Sequence, residues 1–105
     1  MARCGNLNAR QMEVEMNSTV GLEQNYPNPA NTSTFITLQA AKEMPLALNI
    51  YDVDGRLVES LPEQVFLANT PYTIEVDVRD YPSGIYFYQV VGEGVNTSRK
   101  MWVSH

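Results

Sequence analysis

The chain has 105 residues, 44% hydrophobic and 18% charged, with a formal net charge of −5. That is enough chain for one globular domain with one modest core. The acidic balance excludes a phosphate-backbone binder, which needs clustered Lys and Arg, and Arg99-Lys100 is the only adjacent basic pair.

Residues 1–20 are polar and irregular, and they read as a linker or upstream tail. Residues 1–10 lack the apolar core of a signal peptide. An exported protein would therefore carry its signal upstream of this chain. Cys4 is the only cysteine, so no internal disulfide is possible and packing must hold the fold. The stretch 12–16 alternates like a strand but uses helix formers, and it stays unassigned.

The domain reading covers residues 21–105. It opens with Asn25-Tyr26-Pro27-Asn28-Pro29, which cannot be helix interior because each Pro fixes its own φ and biases the residue before it. Short runs of period two follow, the mark of half-buried strands. Residues 34–40 present Ile36, Leu38 and Ala40 to one side. Residues 46–52 present Leu46, Leu48 and Ile50. Residues 72–78 put Tyr72, Ile74, Val76 and Val78 on one face and Thr73, Glu75 and Asp77 on the other. Residues 85–91 are apolar on both faces, which predicts a central strand. Residues 95–103 place Val95, Met101 and Val103 together. Residues 56–61 and 64–67 are weaker candidates.

The punctuation agrees with strands. Asp54-Gly55 predicts a two-residue hairpin, Gly92-Glu93-Gly94 joins two more runs, and Pro71 and Pro82 break others. The pattern predicts an all-β, immunoglobulin-like antiparallel sandwich of about seven strands. Tyr86, after a Pro-Ser-Gly turn, stands where a tyrosine corner would tie to loop backbone.

Little in the chain suggests catalysis, and no catalytic residue, metal site or cofactor is expected. A nucleophilic triad would have to use His105, the only histidine. Asp52-Val53-Asp54-Gly55 begins like a calcium loop, but the further ligands are not at the right offsets and Arg56 follows at once. Tyr26, Tyr51, Tyr81, Tyr86, Tyr88 and Trp102 suggest an alternative, an ancillary carbohydrate-binding or adhesive module of an extracellular enzyme, if they form an exposed row.

Four motifs in order carry a resemblance. They are Leu22-Glu23-Gln24-Asn25-Tyr26-Pro27-Asn28-Pro29, Tyr51-Asp52-Val53-Asp54-Gly55-Arg56-Leu57-Val58, Pro82-Ser83-Gly84-Ile85-Tyr86-Phe87-Tyr88 and Ser98-Arg99-Lys100-Met101-Trp102-Val103. Together they resemble the type A C-terminal sorting domains of the type IX (Por) secretion system of Bacteroidota. The resemblance implies a non-catalytic signal at the end of a larger secreted cargo protein. Its implied partners are the outer-membrane translocon and a sortase-like C-terminal signal peptidase. Its implied route is the periplasm, then the cell surface or medium. Cleavage is expected in the stretch ahead of Asn25.

Carried over residue by residue, Asn25, Pro27, Asn28 and Pro29 match the opening motif. Asp52, Gly55 and Arg56 match the hairpin motif. Gly84 and Tyr86 match the Gly-x-Tyr motif, and Lys100 matches the basic position of the closing strand. Arg99 and Lys100 are the candidate docking residues. The chain departs from the family pattern at Ala30 and Thr32, and at Ser104-His105, where a basic residue is common. Unpaired strand edges leave room for pairing between copies.

Overall fold

A computed structural model describes residues 19–105. Cys4 and the unassigned stretch 12–16 lie outside the described residues. Seven strands form: β1 (Val20–Leu22), β2 (Ser33–Ala40), β3 (Met44–Asp52), β4 (Leu57–Phe66), β5 (Tyr72–Asp77), β6 (Gly84–Gly92) and β7 (Val95–Val103). They make a three-stranded sheet in the order β1-β2-β5 and a four-stranded sheet in the order β4-β3-β6-β7. All strand pairs are antiparallel. The result is the immunoglobulin-like sandwich the alternation predicts, with β6 central.

The core follows from period two. Ile36, Leu38 and Ala40 of β2 face Leu46, Leu48 and Ile50 of β3, and all six are buried. Val76 and Val78 join from one sheet, and Tyr86, Tyr88, Val90, Met101 and Val103 from the other. Each Val, Leu, Ile or Met side chain buried this fully contributes roughly 1.5–3 kcal/mol.

Three details differ from the sequence reading. First, the two weak runs around Pro62 are one ten-residue strand, β4. Leu46 pairs with Gln64 while Leu48 pairs with Leu61, so β4 carries an extra residue there. That bulge accommodates Pro62, which has no N–H, and β4 is a sheet edge, where Pro is tolerated. Second, the β3–β4 hairpin has a three-residue loop. The Asp52 N–H donates to Arg56 O (2.9 Å), and Gly55 N–H donates to Asp52 O (3.0 Å). Gly55 has φ +84°, the left-handed residue of a bulged loop. Third, β1 begins at Val20, which is buried and pairs with Ala40. Three residues give too short an alternation to read from sequence.

Candidate functional site: the opening segment on the closing strand

Pro27 and Pro29 cannot donate to a ladder, so residues 23–32 attach by isolated bonds. Tyr26 and Phe35 exchange backbone bonds of 3.0 and 2.8 Å, which ties the segment to β2. Four residues on, Ala30 N–H donates to Trp102 O (2.8 Å) and Ser104 N–H donates to Ala30 O (2.9 Å). The segment thus crosses from one sheet to the other and reaches the outer edge at the end of β7.

Side chains complete the attachment. Gln24 Nε2 donates to Lys100 O (2.7 Å), and Trp102 N–H donates to Asn28 Oδ1 (3.0 Å). Arg99 Nε donates to Leu22 O (2.6 Å). Asn25 is the hub and is only 2% exposed. Its N–H donates to Tyr88 Oη (2.9 Å), and its Nδ2 donates to Thr34 Oγ1 (2.9 Å) and Pro27 O (3.1 Å). Thr34 Oγ1 donates to the same Pro27 carbonyl (2.9 Å), and Tyr88 Oη donates to Glu23 O (2.8 Å). Pro27 takes part through its carbonyl. No hydrogen bond of Pro29 appears among the described residues, and its contribution is the fixed φ.

The other two motifs meet this edge at the same end of the sheet. Asp52 pairs with Tyr86, Tyr86 with Met101, and Gly84 with Val103, beside the Ala30 attachment. Asp52 Oδ1 accepts from the N–H groups of Asp54 and Arg56 (2.9 Å each), and Arg56 Nε reaches Asp52 Oδ2 at 3.2 Å. Asp52 and Arg56 therefore hold the hairpin loop. Tyr86 Oη donates to Pro82 O (2.6 Å), the tie of a tyrosine corner. Tyr81 packs on Tyr86 with ring centroids 5.2 Å apart and donates to Glu59 Oε1 (2.5 Å). His105 is held as well, by Ser83 Oγ on its N–H and by Asn31 Oδ1 and Tyr81 O on its ring.

Gly84 has φ +154°, and a β-carbon there would meet nothing within 4 Å. Its requirement is backbone conformation and not space. Gly84→Ala is expected to destabilise the domain by about 1–3 kcal/mol, read as a lower urea midpoint with an unchanged slope.

Arg99 and Lys100 part company. They are neighbours on a pleated strand, so they point to opposite faces. Arg99 is spent on the Leu22 carbonyl. Lys100 lies on the outer face of the four-stranded sheet, its Nζ 5.4 Å from the Trp102 ring centroid. The register puts Lys100 opposite Phe87, Phe87 opposite Tyr51 and Tyr51 opposite Leu57, with Trp102 opposite Ile85. Cross-strand partners share a face, so an apolar and aromatic band runs beside Lys100. Trp102 is 44% and Leu57 56% exposed. The six aromatics considered for sugar stacking do not form one row. Tyr86 and Tyr88 are buried, Tyr81 packs against Tyr86, and Tyr26 pairs with Phe35 on the other sheet.

The electrostatics predict how the domain responds to pH. The Arg79 guanidinium holds Asp77 down at about 2, and the Arg56 N–H, with its guanidinium, holds Asp52 below the usual range. An unfolded Asp titrates near about 3.9. Between these values the unfolded chain binds more protons, so stability is full above about pH 4 and falls as pH drops towards 2. Burial raises the phenols of Tyr81, Tyr86 and Tyr88, with the Glu59 hydrogen bond adding to the first. Their contribution is complete below about pH 10 and is lost as pH rises through the raised values. Urea midpoints across pH, with Asp77→Asn as reference, test the acid limb: the gap to wild type is expected to close at low pH. Tyrosinate absorbance tests the alkaline one.

Sequence reasoning passed over Gln24, Thr34 and Tyr88 as working residues. Thr34 carried a signal, because it is a polar residue on the inward register of Ile36 and Leu38. A buried hydroxyl there requires a partner. Of the stretch ahead of Asn25, residues 20–22 form β1, and Leu22 to Asn25 are bonded to β7 and Tyr88, so these residues are part of the fold.

A family model described as the secretion system C-terminal sorting domain matches residues 24–104. No curated protein matches the chain.

Proposed function

The chain belongs to the secretion system C-terminal sorting domain family, and from that premise we propose that it is a non-catalytic address label read by the outer-membrane type IX translocon. The observation that carries this reading is the convergence of the four motifs. The opening segment, the hairpin, the Gly-x-Tyr strand and the closing strand are remote in sequence, yet they build one edge and one end of the sheet. Their polar groups are used to hold that shape, which suits a surface that is recognised and not one that reacts.

The docking face is the outer side of β6 and β7, with Lys100 and Trp102 at its centre. Cargo lies upstream and crosses the periplasm with the domain to the cell surface or medium. Peptidase cleavage that leaves the sandwich whole falls ahead of Thr19. Residues 21–105 are the domain by the sequence reading, and β1 adds Val20 to it.

The test is a secretion assay. An exported fluorescent reporter is fused ahead of residues 19–105 in a Bacteroidota host with the type IX system, beside a fusion ending at residue 98. The full fusion is expected at the surface or in the medium and the shortened one in the periplasm. Periplasmic retention of a folded full fusion would count against the reading.

A further inference from the structure

β4 ends one sheet and β5 the other, and these two edges lie side by side. The opening segment, which covers β7 from Lys100 to Ser104, does not reach them. Between β4 and β5 the sandwich gapes over an apolar cavity of about 150 Å³, lined mainly by Leu38, Leu46, Leu48, Leu61, Phe66 and Ile74. Both ends of the gap are latched. At one end Leu67 N–H donates to Tyr72 Oη (3.0 Å), and Phe66 meets Tyr72 edge-on at 4.7 Å. At the other, Tyr81 reaches across to Glu59. Leu61 and Ile74, between the latches, are only partly buried.

An unfilled apolar cavity forfeits packing energy, and one of about 150 Å³ is large enough to take a benzene-sized group. The backbone beside it says what shape of group. β4 is a poor template, because Pro62 lacks an N–H and the bulge breaks the ladder. β5 is regular over its six residues and is paired only with β2. Its free edge is the place for an added strand, whose inward side chain would drop into the cavity beside Ile74. The charges say what flanks it. Asp77 is already paired with Arg79 and Glu59 accepts from Tyr81, but Glu63 of β4 and Glu75 of β5 are exposed, with no ion pair among the described residues, and neither strand has a Lys or Arg.

We propose that the β4–β5 gap is a second binding site, independent of the sorting role, for an extended peptide segment that adds to the free edge of β5. The segment places one leucine-sized apolar side chain in the cavity and carries basic residues on either side.

The experiment is an amide and methyl NMR titration of the full 105-residue chain. The probe is the capped peptide Lys-Thr-Leu-Thr-Lys, compared with its central-Ala version and its Glu-flanked version. Expected are shifts at residues 73–77 and at the Leu61 and Leu46 methyls. The Ala peptide is expected to bind at least about tenfold more weakly. The Glu-flanked peptide is expected to be weaker at low salt, with the difference shrinking as salt rises. Leu61→Trp, which fills the cavity, should abolish binding. Should that variant unfold, the exposed pair Glu63→Lys/Glu75→Lys provides the test, by favouring the Glu-flanked peptide instead. Equal binding of the Leu and Ala peptides overturns the proposal, as do shifts confined to another surface. Binding of benzene with no peptide binding overturns it in favour of a small apolar ligand. Concentration-dependent shifts at residues 73–77 without peptide, with no response to it, overturn it in favour of a second copy of the chain.

Discussion

Asn25→Ala is expected to cost about 2–3 kcal/mol of stability, a large part of the roughly 5–15 kcal/mol that holds a domain of this kind. The side chain is almost fully buried, and its two donor bonds end on Thr34 Oγ1 and the Pro27 carbonyl. Removing it empties a polar site that water cannot easily refill. The same change loosens the segment that covers β7, so hydrogen exchange at Trp102 and Ser104, whose N–H groups bond to that segment, should accelerate beyond the global effect. Asn25→Asp should be worse. It keeps the shape but replaces the donor with a buried carboxylate aimed at a carbonyl. Because Asn25 and Thr34 share the Pro27 carbonyl, Thr34→Ala combined with Asn25→Ala should cost clearly less than the two single losses added. Additive losses in a urea double-mutant cycle would show that the triad does not act as a unit.

The second large effect is expected in transport and not in stability. Lys100→Glu/Trp102→Ala removes a cation and a large apolar surface from the outer face of β7, and neither side chain is in the core. Its urea midpoint should change little. Its secreted fraction should fall at least about tenfold, the consequence of losing about 1.4 kcal/mol or more of docking free energy. Arg99→Ala is the informative contrast. It breaks the tie to the Leu22 carbonyl, so its stability should drop by about 1–2 kcal/mol. Its secretion should follow the folded fraction and recover at lower temperature. If instead Arg99→Ala stops secretion while fully folded, the two residues' roles are reversed and docking lies at the β1–β7 seam.

Much of this architecture was legible in the chain because a strand's side-chain period is two. Ile36, Leu38 and Ala40, or Tyr72, Ile74 and Val76, declare which side is inward without any knowledge of the partner strand. The same alternation separates Arg99 from Lys100, since Met101 and Val103 face the core and Lys100 must face away. Turn chemistry was legible for a similar reason: Gly55, Gly84 and the prolines report backbone conformations that few other residues adopt. β4 was less so, because a bulge shifts the period in mid-strand and Pro62 reads locally as a break.

The site itself is a different matter. Its bonds join Gln24 to Lys100, Asn25 to Tyr88 and Asn28 to Trp102, residues more than sixty positions apart. Local pattern carries no information about such pairs, because each polar side chain would look equally at home in solvent. The sequence by itself determined β2, β3, β5, β6 and β7, their inward faces and the family. Only the tertiary structure decided that β1 and β4 are strands, and that the opening segment covers β7 from Lys100 to Ser104 while β4 and β5 stay open, because hydrogen-bond partners are settled by which edges the folded sheets bring together.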